Sequence, residues 1–167
     1  ELARYQEAEA LHLRALEIRE RVLGPDHSKT AESLHNIALL HKDLGEYQQA
    51  EQLYLRVLSL EERTKGSDHV DVASTLNNLG LIYYYQGHDA QAETAYRRAL
   101  AIYEHTLPSD HPDWTYPLDG LGALAERQGQ VKQAEELYQR ALVIRIHASG
   151  ERHPETAHAI NKLADIA

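Results

Sequence analysis

From Leu76 to Leu100 the chain reads LNNLGLIYYYQGHDAQAETAYRRAL, and the punctuation of this stretch recurs along all 167 residues. Gly87 has counterparts at Gly45 and Gly129, while Ala92-Glu93 is echoed by Ala8-Glu9, Ala50-Glu51 and Ala134-Glu135, always 42 residues apart. Arg98 keeps the same step with Arg14, Arg56 and Arg140, as does Leu100 with Leu16, Leu58 and Leu142. So do His27, His69, His111 and His153. A fixed period of this length marks a solenoid, where one unit cannot bury its apolar face alone and must stack on its neighbours.

Two helical patterns alternate within each period. Residues 28–44 place Leu34, Ile37, Ala38 and His41 on one face, and residues 70–86 do the same with Leu76, Leu79, Gly80 and Tyr83. This is the i, i+3, i+4, i+7 spacing of an amphipathic helix, here named A. Gly45, Gly87 and Gly129 supply a left-handed stop. A second helix, B, is predicted over 47–64, 89–107 and 131–148, with Ala50, Leu53, Tyr54, Val57, Leu58 and Leu60 as the apolar side of the first. Turns such as Gly24-Pro25-Asp26-His27 close it. The small residues Ala38, Gly80, Gly122 and Ala164, with Ala8, Ala50, Ala92 and Ala134, mark where helices approach closely.

Composition excludes several classes. With 43% hydrophobic and 26% charged residues the chain is of ordinary globular make-up. No apolar run approaches the roughly 18 residues of a membrane span, so no membrane insertion is expected. A net charge of −9 with scattered Lys and Arg argues against nucleic acid. The absence of Cys removes disulfides and thiol chemistry. The recurring histidines stand one per repeat, too far apart to share a metal ion, and are assigned to the turns. No nucleophile motif, HExxH spacing or Gly-rich phosphate loop occurs, so neither an enzyme nor a cofactor is expected.

The run from Leu76 to Tyr83, followed by Gly87, Ala92, Glu93, Tyr96, Arg98, Ala99 and Leu100, resembles a tetratricopeptide repeat. The long period and the Asp110-His111-Pro112 turn are similar to the kinesin-light-chain subtype. This resemblance implies a right-handed α-solenoid of antiparallel helix pairs, about eight helices here, whose A helices line a concave groove for peptide segments of partner proteins. It alone favours a cytoplasmic setting. The units fall at 28–65, 70–107 and 112–149, flanked by an unpaired helix B at 1–23 and a helix A at 154–167. With no Met and a start part-way into a repeat, the chain reads as a piece of a longer array. Head-to-tail self-association through the unpaired terminal helices is the alternative function, with Ile160, Leu163, Ala164 and Ile166 meeting Leu11, Ala15, Leu16 and Ile18 of another copy.

The same helical wheel gives candidate groove residues. If Leu76, Leu79, Gly80 and Tyr83 face inward, then Ser74, Asn77, Leu81, Tyr84 and Tyr85 form the ligand-facing stripe. Its equivalents are Glu32, His35, Leu39 and Lys42, then Tyr116, Asp119 and Arg127, then His158 and Asn161. Asn36 and Asn78 sit one step over, at the rim. An amide offers both donor and acceptor, suiting Asn36, Asn77, Asn78 and Asn161 to hold a partner's backbone; the kinesin-light-chain resemblance implies the same role, from which Asp119-Gly120 departs. Tyr84 and Tyr85 offer rigid contact area. Pro117 and Gly120 predict a distorted or late start near Tyr116 for the third helix A, with Trp114 as a packing anchor. The alignment predicts that Ala92→Leu overpacks a helix contact and costs about 1–3 kcal/mol in denaturant unfolding.

Overall fold

The computed structural model describes residues 2–166, with side-chain surroundings from Glu7 onward; positions 1 and 167 of the expected array lie outside the described residues. Four B helices, α1 (Leu2–Leu23), α3 (Tyr47–Lys65), α5 (Asp89–Thr106) and α7 (Val131–Ser149), alternate with four A helices. These are α2 (Ser28–Asp43), α4 (Val70–Gln86), α6 (Thr115–Arg127) and α8 (Pro154–Ile166). No strand occurs among the described residues. Each helix packs on the next in sequence, giving a solenoid of helix hairpins.

The turns are built by the residues that keep the period. Gly45, Gly87 and Gly129 have φ of 76°, 77° and 72°, the left-handed backbone that reverses the chain from A to B. At the other end of each hairpin a histidine caps the next A helix. Nδ1 of His27, His69 and His111 accepts the backbone N–H two residues on, at 3.1, 3.2 and 3.2 Å. His153 repeats this more loosely at 3.4 Å. An imidazole thus does the work usually given to Asn, Asp, Ser or Thr, satisfying an otherwise orphaned helical donor. Thr30 and Thr156 add a hydroxyl bond to the carbonyls of Gly24 and Gly150, at 2.8 and 3.0 Å.

A column of tyrosines forms the centre of the core. Tyr54, Tyr96 and Tyr138 are almost fully buried on α3, α5 and α7. A methyl group added at Gly80 would lie within 3.0 Å of the Tyr96 ring, and one at Gly122 equally close to Tyr138. Ala38, at the same step, is fully buried in the cluster containing Tyr54. For two of these rings the helix after the hairpin also reaches the ring. Gly120 of α6 abuts Tyr96, while the Lys162 ammonium of α8 lies 4.2 Å from the Tyr138 ring centre. Accordingly α4 and α6 touch more extensively than other successive A helices.

The third helix A starts late, as its prolines require. Pro112–Trp114 form a single 3-10 turn and α6 begins at Thr115, whose hydroxyl donates to the Pro112 carbonyl at 2.8 Å. Pro117 therefore falls within the first turn, where its missing N–H breaks no helical bond. Trp114 is buried, with the Arg140 guanidinium 5.2 Å from its ring centre. Along the B helices, the periodic arginines form a ladder. Arg56 binds Glu20, Arg98 binds Glu62 at 2.5 Å, and Arg140 binds Glu104 at 2.7 Å, each linking one repeat to the preceding one.

Helix propensity alone says that replacing Gly120 by Ala stabilises α6 by about 1 kcal/mol. Packing against Tyr96 says the opposite, because an added methyl group would lie within 2.6 Å of three atoms of its buried ring. Gly120→Ala is expected to lower stability by about 1–3 kcal/mol in urea unfolding. A stabilised variant would refute the close contact.

Candidate functional site

The free stripe of the A helices is more structured than a solvated surface. Asn77, Leu81, Tyr84, Tyr85, Tyr116 and Asp119 line one cavity of about 330 Å3 beside Gly120, Ala123, Tyr96 and Lys162. Tyr116 and Asp119 also line a neighbouring cavity of about 420 Å3 that extends to His158, Arg145 and Glu155. Tyr116, Asp119 and Lys162 border both, so the two adjoin along α6, one towards α4 and the other towards α8. Tyr85 and Tyr116 are 55% and 58% exposed, an unusual state for rings that have a core available.

Tyr84 and Tyr85 are positioned rather than loose. Tyr85 stacks on Tyr47 with centroids 5.1 Å apart and meets Tyr84 edge-on at 5.7 Å. The Arg127 guanidinium lies 3.8 Å from the Tyr84 ring centre, donates to the Tyr84 carbonyl at 3.0 Å and pairs with Asp89 at 2.6 Å. Arg127 thus serves as a strut between repeats. Asp119 is likewise engaged, held by a two-pronged pair with Arg145. Asn77 differs, since its Oδ1 is buried without a hydrogen-bond partner among the described residues. Burial pushes the Tyr96 hydroxyl well above the usual phenol range, so it remains a neutral donor.

The other stripe residues are dispersed. Glu32, His35 and Asn36 line a separate cavity of about 300 Å3 between α2 and α4. There Glu32 pairs with Lys29 at 2.9 Å, and His35 meets Tyr54 edge-on at 5.3 Å. Burial, reinforced by Lys42, holds the His35 imidazole below its ordinary pKa. Asn78 spends its donor on the Ser74 carbonyl at 3.1 Å within its own helix. Leu39, Lys42, Ser74, Asn78, Arg127 and Asn161 line none of these three cavities. Among the described residues no group of three His, Cys, Asp or Glu can hold a metal ion, and no helix is long and apolar enough to cross a membrane.

The hairpin stack, the period and the alanine and tyrosine columns together point to one family. The profile of the tetratricopeptide repeat matches residues 1–60, 36–105 and 116–167. The chain belongs to the tetratricopeptide repeat family. Its fold is the family's right-handed α-solenoid, a scaffold for protein interaction. A crystal structure of the Podosopora anserina putative kinesin light chain nearly identical TPR-like repeats is 25% identical, covering 98% of this chain and 78% of that one, with a TM-score of 0.79. A single-residue variant of that protein gives 25% and 0.81, over 98% of this chain and 77% of the other. BtubC (BKLC) from P. vanneervenii is 29% identical with a TM-score of 0.79, over 91% of this chain and 60% of its own. No curated protein matches the chain in sequence.

Wheel reasoning overlooked one residue. Glu61 is 7% exposed on α3, where it faces the cavity between α2 and α4. The signal was a carboxylate four residues beyond Val57, on a stripe that is otherwise apolar. Burial raises its pKa, opposed in part by the Thr75 hydroxyl and Lys65. A carboxyl group whose pKa is raised by folding destabilises the fold above the folded pKa and has no such effect below the unfolded value. Glu61→Gln should therefore raise the melting temperature at pH 7. The gain should shrink as the pH falls through the folded pKa towards the ordinary 4.5. Equal melting temperatures across that range would contradict it.

Proposed function

We propose that this chain is a non-catalytic scaffold that binds an extended peptide segment of a partner protein along its A helices. The observation carrying this reading is the pair of adjoining cavities along α6, in one of which two half-exposed rings, Tyr85 and Tyr116, stand beside Leu81. Exposed aromatic rings held rigid by neighbours lose little entropy on binding and are favoured as anchors. The unpartnered Asn77 amide oxygen suits a donor from a ligand backbone after a small side-chain rotation. Asn77, Leu81, Tyr84, Tyr85, Tyr116, Asp119 and His158 form the main site, with Glu32, His35 and Asn36 as a further subsite. Arg127 acts by holding Tyr84.

A displayed library of random peptides, screened on the intact chain, tests this reading. Ligands are expected to lose about tenfold or more in affinity to a Leu81→Ala/Tyr116→Ala variant whose circular dichroism is unchanged, because each truncation removes about 1–2 kcal/mol of contact. Ligands indifferent to that variant would place binding elsewhere.

One observation favours head-to-tail stacking as a second reading. On α1, Leu11 and Ile18 are 63% and 45% exposed, whereas Leu60, equivalent to Ile18, is 5% exposed on α3. On α8, Ile160 is 45% exposed where its equivalent Leu118 is fully buried. An A face and a B face are thus both uncovered, and they are complementary in type. Stacking predicts a sedimentation mass that rises with concentration and an Ile160→Asp variant that stays monomeric; a constant mass would exclude it.

A further inference from the structure

The cavity between α2 and α4 carries an unbalanced charge. Two of its cations are already engaged, Lys29 with Glu32 at 2.9 Å and Lys65 with Asp71. Glu61 is the third carboxylate, more than nine-tenths buried, and its Oε2 accepts from the Thr75 hydroxyl at 2.8 Å. Its Oε1 has among the described residues only the Lys65 ammonium at 3.7 Å, beyond hydrogen-bond reach. His35, kept neutral at pH 7 by burial, adds no positive charge. A carboxylate oxygen on a largely buried side chain that faces an open cavity, with only a long ion pair to Lys65, has room for a closer cation.

The equivalent positions in the other repeats show that this is peculiar to one junction. Arg19, one period before Glu61, donates to the Lys29 carbonyl and to Ser33 at 3.0 and 2.7 Å. Tyr103, one period after, is buried in the core. Arg145, two periods after, is neutralised by Asp119. Only α3 presents an acid in this column, so the groove has a distinct electrostatic end.

We propose that the Glu61 cavity seats a Lys or Arg side chain of the bound peptide. The ammonium or guanidinium would donate to Glu61 Oε1, with the cavity of about 300 Å3 holding the aliphatic stem. The inference rests on the groove-binding reading and adds a charge requirement at one position. The chain's net charge of −9 draws cationic segments towards it.

The same library screen, followed by fluorescence anisotropy on the enriched peptides, decides the matter. The expected result is a Lys or Arg at one fixed position of the enriched peptides. Glu61→Gln, which preserves shape, should weaken them about tenfold, in line with a charge-assisted hydrogen bond. Replacing the basic residue by norleucine or citrulline should weaken binding similarly, with no further loss when combined with Glu61→Gln. Peptides that depend on Leu81 and Tyr116 yet share no basic residue, or ignore Glu61→Gln, would overturn this inference and leave the groove reading standing. No ligand at all would overturn both.

Discussion

The Tyr96 ring touches two A helices at once, Gly80 of its own hairpin and Gly120 of the next. Most other features of the chain follow from that contact. A ring is flat and stiff, so wherever it meets a glycine the backbones settle at ring thickness. The first contact is repeated in kind, with Ala38, Gly80 and Gly122 all small. The second varies, because Asn78, Gly120 and Lys162 occupy the equivalent places. Gly120 lets α6 approach α4 more closely than other successive A helices approach one another, and a cavity of about 330 Å3 lies beside that contact as others do between α2 and α4 and between α6 and α8. One residue per repeat thereby shapes the groove, without any change to the core behind it.

Charge is distributed differently at the B–B contacts and at the contacts that involve A helices. On the B helices the Arg–Glu pairs are partly exposed and regular, each worth about 0–1 kcal/mol. Where A helices meet their neighbours the charged groups are individual: Arg127 of α6 braces Tyr84 of α4, Arg145 of α7 neutralises Asp119 of α6, and Glu61 of α3 is buried beside Thr75 of α4 with Lys65 at 3.7 Å. Regular charge maintains the stack, and irregular charge differentiates one junction from another.

The repeat architecture was legible because its geometric demands recur, so residues such as Ala92 and Gly87 betray themselves by position alone. The late start of α6 was legible too, since Pro112 and Pro117 leave few helical alternatives. Gly120 was misread as a helix penalty, because the ring that requires it lies on another helix. The groove stripe was partly legible. A helical wheel states where a side chain leaves the backbone, and it put Leu81, Tyr85 and Tyr116 on one stripe, as they line one cavity, but it does not state which neighbour captures a side chain. Arg127, Asp119 and Asn78 were taken by Tyr84 with Asp89, by Arg145 and by the Ser74 carbonyl. The histidines were read as turn residues, and their role as caps emerged only from the direction of each Nδ1.

The Arg–Glu ladder has a mechanical consequence. It joins successive B helices through ions near water, whereas the A-helix side is tied by enclosed rings. Dissolved salt, with a screening length of about 8 Å at physiological strength, weakens the first and leaves the apolar ring contacts untouched. Ionic strength therefore acts on the contacts between successive B helices before it acts on the tyrosine core behind them.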